Sequence, residues 1–166
     1  MKRVLFALVA LSVMAFATGC DDDYYRAPQD TRKSFRDQYP KARDVEWERH
    51  HKYDSVEFKL PGVSNDCEAW YTLDGRWILT EFDIAYVDLP QAVRTSFETE
   101  YGVATPVDDV KRLDRPNADT TYIIDAAAMV DGYMAELLLE YASDGTKLRS
   151  AVNVDTDYFY YDYLIY

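Results

Sequence analysis

The sequence predicts an α+β fold of two tandem repeats, each a helix packed on an antiparallel sheet of three or four strands. Three observations carry this. Apolar and charged residues alternate in strand-like runs, as at Val56-Phe58-Leu60 against Glu57 and Lys59. Aromatic pairs four residues apart, Phe35/Tyr39 and Phe97/Tyr101, mark two short helices. Asp-Gly falls between strand-like runs twice, at Asp74-Gly75 and Asp144-Gly145, a strong short-range hairpin signal. The order of these signals also recurs. Phe35 to Phe97 and Tyr39 to Tyr101 are both 62 apart, while Tyr71 to Tyr141 and Gly75 to Gly145 are both 70 apart.

The elements follow in order. Asp30 is placed to cap the first helix and Pro40 to stop it. Val45 and Trp47 alternate with charges in a first strand, and Val56 to Leu60 forms a second. Glu68 to Leu73 is a third, and Trp77-Ile78-Leu79 follows the turn. In the second repeat Asp88 is the expected cap, with Pro90 in the first turn. Val93, Phe97 and Tyr101 share a helical stripe that Gly102 ends. Val107 and Val110, Tyr122 to Ile124, Tyr133 to Tyr141, and Leu148 to Val154 supply the strands. The change in spacing from 62 to 70 requires a longer loop in the second repeat, at Arg115 to Asp119 or at Ala126 to Asp131. Each sheet is expected to have one apolar face, covered by its own helix.

Residues 1–20 read as a lipoprotein signal peptide. Lys2-Arg3 is cationic, Val4 to Phe16 is apolar apart from Ser12, and small residues precede Cys20. The apolar run is too short to span a bilayer as a helix. Cys20 is the expected lipidation site. Ala17 stands where leucine is common in a lipobox, so cleavage near Ala17 with a plain Cys20 thiol is the alternative. Residues 21–29 form an acidic tether that opens with Asp21-Asp22-Asp23. That run resembles the signal that exports some Gram-negative lipoproteins to the cell surface. In enteric-type sorting, an acid after the cysteine resembles an inner-membrane retention signal. The expected location is the outer membrane, held by the N-terminal lipid and displayed at the cell surface, with a periplasm-facing protein as the alternative.

Charge narrows the partners. Losing residues 1–20 removes Lys2 and Arg3 and no acid, so the net charge moves from −12 to −14. Nucleic acid is thereby excluded as a default partner, because its binding rests on Lys and Arg neutralising phosphates. Cationic partners remain open. Fifteen tyrosines suit half-buried strands and interfaces alike.

Helix–Tyr-Pro–Val-x-Trp, then Val-x-Phe, then an aromatic strand ending in Asp-Gly-x-Trp resembles the PepSY-like proteins grouped with beta-lactamase-inhibitor-like folds. The residues that carry it are Phe35, Tyr39, Pro40, Val45, Trp47, Val56, Phe58, Tyr71, Asp74, Gly75 and Trp77. On this reading residues 30–87 are the first PepSY-like repeat and 88–155 the second, followed by a Tyr-rich C-terminal strand or tail at 156–166. The second repeat departs from the pattern: Gly102 replaces the proline and Lys147 stands where Trp77 would fall. The resemblance implies secreted or lipid-anchored bacterial proteins without enzymatic activity. Inhibitor relatives bind another protein through sheet surface and loops.

Reaction chemistry is hard to find. Cys67 lies in a strand-like alternation, which gives it the role of a small buried hydrophobe. A catalytic cysteine would need a nearby histidine, and only His50 and His51 are present. Adjacent strand residues point to opposite faces, so those two do not share a metal; they are read as exposed loop histidines. Asp108-Asp109 and Asp155-x-Asp157 lack the full calcium-loop pattern and are read as solvated surface. Neither a catalytic residue, a metal nor a cofactor is expected.

The expected function is a non-catalytic binding module that recognises a protein, peptide or glycan partner through sheet and loop surface. The candidate binding residues are Trp70, Trp77, Tyr158, Tyr160, Tyr161 and Tyr163. For the last four, the competing role is packing within a final edge strand. Two alternatives stand beside this: an inhibitor or chaperone of a secreted enzyme, acting through the longer loop of the second repeat, and a hydrolase whose carboxylates, or His50 with Cys67, converge in one pocket.

Overall fold

The computed structural model describes residues 25–152. Helix α1 (Gln29–Gln38) is followed by β1 (Arg43–His50), β2 (Tyr53–Lys59), β3 (Cys67–Thr72) and β4 (Trp77–Asp83). A single 3-10 turn at Tyr86–Asp88 leads into α2 (Gln91–Tyr101). Then come β5 (Val107–Asp114), β6 (Thr121–Val130), β7 (Tyr133–Ala142) and β8 (Lys147–Val152). All the strands form one antiparallel sheet of eight in chain order. The sequence left open whether there would be one sheet or two. The join is β4 against β5, where Thr80 to Asp83 pair with Asp114 to Lys111.

Both helices lie on the same face of this sheet. Phe35 of α1 sits in a cluster with Val56, Phe58, Cys67, Ala69, Tyr71 and Phe82. Val93 and Phe97 of α2 pack with Val110, Ile124, Ala126, Leu137, Leu139 and Tyr141. Ile84 touches both clusters and makes the two helix-covered cores continuous. At the join, the Arg112 guanidinium stacks over the Phe82 ring at 4.0 Å.

The helix starts correct the sequence reading. Asp30 lies in the first turn of α1, and the N-cap is Pro28. Asp88 lies in the 3-10 turn, and α2 is capped by Pro90. Proline sets the backbone angle for helix entry, and its carbonyl accepts the first intrahelical bond: Arg32 N–H donates to Pro28 O and Arg94 N–H to Pro90 O. Gly102 does end α2, at φ 97°.

Both Asp-Gly turns form as expected, between β3 and β4 and between β7 and β8. The longer loop falls at residues 115–120, between β5 and β6, where β1 and β2 are separated by residues 51–52 alone. Residues 126–130, the other proposed place for it, are strand instead. Asp131 and Gly132 close β6 and β7 as a two-residue turn with φ of 52° and 87°. Alanines disguise this strand: Ala126 and Ala128 are buried in the α2 cluster, though alanine is a poor strand former.

The expectation of one apolar face per sheet also needs correction. The helix-free face carries its own buried cluster of Tyr53, Trp70, Leu79, Leu113, Ile123 and Leu138. This stripe crosses from β2 to β7.

Candidate functional site

The helix-free face combines that apolar stripe with ordered charge. Strand register places Glu46 opposite Glu57, Glu57 opposite Glu68, and Glu68 opposite Glu81. Four glutamates thus form one row across β1 to β4, with backbones about 4.8 Å apart. Like charges directly opposed on a sheet are destabilising. Burial increases along the row. Glu46 and Glu57 are exposed, Glu68 is half-buried, and Glu81 is 1% exposed. Burial, and then the charge of Glu81, push the Glu68 carboxyl up to about 7.

Cations close the row on the β5 side. Lys111 Nζ lies 3.2 Å from Glu81, 3.6 Å from Asp83 and 3.8 Å from Asp109. Burial opposes the lysine's charge, but these three carboxylates outweigh it and raise its pKa. Further along, Glu140 is 1% exposed. It accepts from Thr121 at 2.6 Å, from Arg115 at 2.9 Å and from Arg149 Nε at 2.7 Å. Against the upward push of burial, these donors and charges hold the Glu140 carboxyl below its ordinary range.

The two histidines differ. His50 ends β1, half-buried, bonded to Ser55 at 3.0 Å and packed against the Trp70 ring with centroids 4.8 Å apart and planes tilted by 39°. It is therefore not an exposed loop residue, and burial lowers its pKa. His51 is exposed in the turn. Cys67 is buried, and burial pushes its thiol up to about 11, which makes it an inert packing group. His50 pairs with Tyr53, which pairs with Thr72, five residues along β3 from Cys67. That separation is about 16 Å along the strand, so His50 and Cys67 do not meet in a pocket. Among the described residues no group of three or more His, Cys, Asp or Glu could hold a metal. Asp109 is engaged by Lys111 and by the Val110 N–H.

The other predicted site residues are placed as follows. Trp70 is 1% exposed, inside the stripe, so it is core and not binding surface. Period-two alternation misled here, because Trp70 and Tyr71 face opposite sides of a sheet that is buried on both. Trp77 is half-buried on the helix side, and its indole N–H donates to Thr80 Oγ1 at 3.0 Å. Cys20, Asp21, Asp22, Asp23, Tyr158, Tyr160, Tyr161 and Tyr163 lie outside the described residues. Sequence reasoning missed the glutamate row, since cross-strand register is not written in a linear string. It placed Tyr133 in a strand and did not mark it as surface. At the tip of the β6–β7 hairpin Tyr133 is 78% exposed, beside exposed Met129 and Met134.

Tyr25 anchors the start of the described chain. Its hydroxyl donates to Asp54 at 2.7 Å, and Arg49 Nε donates to the same carboxylate at 2.6 Å. No helix among the described residues is long and apolar enough to cross a membrane.

Comparison places this architecture among known proteins. A family model described as "Putative beta-lactamase-inhibitor-like, PepSY-like" matches residues 52–146. A BLIP-like protein from Bacteroides fragilis NCTC 9343 is 25% identical, with a TM-score of 0.69, over 83% of this chain and 96% of its own. A DUF2874 family protein from Bacteroides ovatus ATCC 8483 is 23% identical, with a TM-score of 0.69, over 79% of this chain and 91% of its own. A protein from Bacteroides eggerthii DSM 20697, described as "putative periplasmic", is 20% identical, with a TM-score of 0.66, over 80% and 95%. No curated protein matches the chain.

Proposed function

This chain belongs to the beta-lactamase-inhibitor-like, PepSY-like family, and we propose from that premise that it is a non-catalytic binding protein of the cell envelope. In this reading Cys20 carries lipid, Asp21-Asp22-Asp23 directs export, and residues 30–87 and 88–155 are two PepSY-like repeats. The order of helix and four strands, met twice, supports the repeats. The periplasmic description of a neighbour supports an extracytoplasmic location.

The observation that carries the binding reading is the glutamate row. Opposed carboxylates cost stability, and a partner's Lys or Arg side chains laid across β1 and β2 would relieve that repulsion. The favoured partner is therefore a protein or peptide with a cationic segment. Exposed Tyr133 offers aromatic contact area at the tip of the β6–β7 hairpin. Trp77, half-buried on the helix side, and Tyr158, Tyr160, Tyr161 and Tyr163, outside the described residues, remain candidates for contacts away from the row.

The test is crosslinking capture from the native envelope with the full chain, with Glu46→Gln/Glu57→Gln, and with a chain ending at Val154. Capture lost in the glutamine variant supports the row. Capture lost only on truncation moves the site to the tyrosine tail. Capture by all three alike removes the row from the reading. Because Glu68 ionises near 7, capture through the row is expected to strengthen from pH 6 to pH 8. Lipidation is tested separately, by metabolic labelling with a fatty-acid analogue in wild type and Cys20→Ser.

The BLIP-like neighbour favours a second reading, inhibition or chaperoning of a secreted enzyme. Residues 115–120 are then the segment that enters the target cleft. Arg115 at its start is pinned to Thr121 and Glu140, and Asn117 within it has φ 55°. An inhibition assay on any captured enzyme separates this from simple docking.

A further inference from the structure

On the helix side, a cleft of about 600 Å³ lies between α1 and the edge strand β1. Its walls include Arg26, Arg32, Arg36, Tyr39, Val45 and Trp47, and among the described residues no carboxylate lines it. In a chain with 30 acidic and 18 basic side chains, three arginines around one hollow run against the overall charge. None of the three forms an ion pair among the described residues, whereas neighbouring Lys33 is paired with Asp37 at 2.5 Å. Arg32 and Arg36 stand four apart on α1, a like-charge spacing that weakens a helix unless something anionic sits between them.

The cleft is also built to hold its shape. Arg32 Nε donates to the Ala27 carbonyl at 3.0 Å, which fixes its position. Phe35 sits edge-on to Trp47 at 5.5 Å and 5.7 Å from Tyr39. The Tyr39 hydroxyl is bonded to buried Thr80 at 2.7 Å. The aromatic wall is therefore set before any ligand arrives. Half-buried rings beside arginines suit a ring-bearing body that carries a carboxylate, since arginine binds carboxylates through two parallel bonds. The volume falls in the range of small-molecule sites.

We propose that the cleft between α1 and β1 binds a small ring-bearing carboxylate, with Arg32 and Arg36 holding the acid group and Trp47 and Tyr39 the ring. An aromatic acid and a uronic acid share this chemistry. The site lies on the opposite face from the glutamate row, so either reading can fail without the other.

Calorimetry on the full chain in detergent tests it with 4-hydroxyphenylacetate and galacturonate as the two sources, and with 4-hydroxyphenylacetamide, acetate and inorganic phosphate as controls. Binding of either ring acid, at least tenfold tighter than its controls, supports the proposal, and the acid that binds identifies the source. Arg32→Gln/Arg36→Gln is expected to weaken it at least tenfold, while Lys33→Gln leaves it unchanged. Both arginines reach the surface; Arg26→Gln is the second variant should the double one not fold, with the same direction expected. Equal binding of the neutral amide, or undiminished affinity in both arginine variants, would overturn the proposal. So would binding of phosphate or of phosphatidylglycerol vesicles with no response to either ring acid, which would make the cleft a general anion or membrane surface.

Discussion

Glu68 holds its proton to about pH 7, whereas a glutamate with the ordinary value of 4.5 releases it far lower. Between those values the folded state binds the extra proton, so stability falls as pH rises from 4.5 to 7. The shift corresponds to about 3 kcal/mol. Urea midpoints at pH 5 and pH 8 are expected to drop with pH in the wild type and to drop less in Glu68→Gln; an equal drop in both would sink the assignment. Glu140 has the opposite sign. Its folded pKa lies below 4.5, so its contribution is present above 4.5 and is lost as pH falls through the folded value. Glu140→Gln leaves Arg115 and Arg149 facing a neutral group and is expected to cost about 2 kcal/mol at pH 7, read as a lowered urea midpoint. Neither role was legible beforehand, because the sequence shows carboxylates but not which cation or carboxylate stands across the next strand. Cys67 was legible, since an alternation of Cys67, Ala69 and Tyr71 fixes one face whatever the partner strands are.

Turns and helices are coupled at two places. A Cβ on Gly145 would lie 2.5 Å from the Ala92 carbonyl oxygen of α2, and one on Gly75 would lie 3.0 Å from the Asp30–Thr31 backbone of α1. Each Asp-Gly turn therefore serves as the seat of a helix as well as a chain reversal. Gly132 shares the positive φ but has nothing within 4 Å. Gly132→Ala is expected to cost about 1 kcal/mol for its backbone angle alone, and Gly145→Ala clearly more, because helix backbone has to move. Comparable urea midpoints for the two variants would refute the coupling. The elements themselves were mostly readable, since strand alternation and Asp-Gly are local. Helix starts were not: at both, a proline without any side-chain cap stands at the N-cap expected for an aspartate. The departure at position 147 also has a physical account. Where Trp77 donates to Thr80 in one half, Lys147 pairs with Glu100 in the other and lies 5.5 Å over the Tyr101 ring. The arginine cleft needed a helix packed beside an edge strand and could not be seen from spacing.

The whole molecule is joined at β4 and β5, where only four residue pairs are in register. Ile84 and the Arg112–Phe82 stack reinforce that seam from the helix side, and Leu79, Leu113 and Ile123 reinforce it from the other. Unfolding is expected to be a single transition, with calorimetric and van't Hoff enthalpies equal. Two resolved transitions would show that the seam does not couple the halves. The continuity of this sheet was hidden in the sequence because the joining segments, Thr80 to Asp83 and Lys111 to Asp114, are rich in charge and read like rims. The attachment of Tyr25 has a mechanical consequence. A chain held from its N-terminus passes tension to the body through Tyr25, whose hydroxyl and ring engage Asp54 on β2 and Arg49 on β1. Such a load would be shared between two strands at once, and the outermost strand would not be peeled away alone.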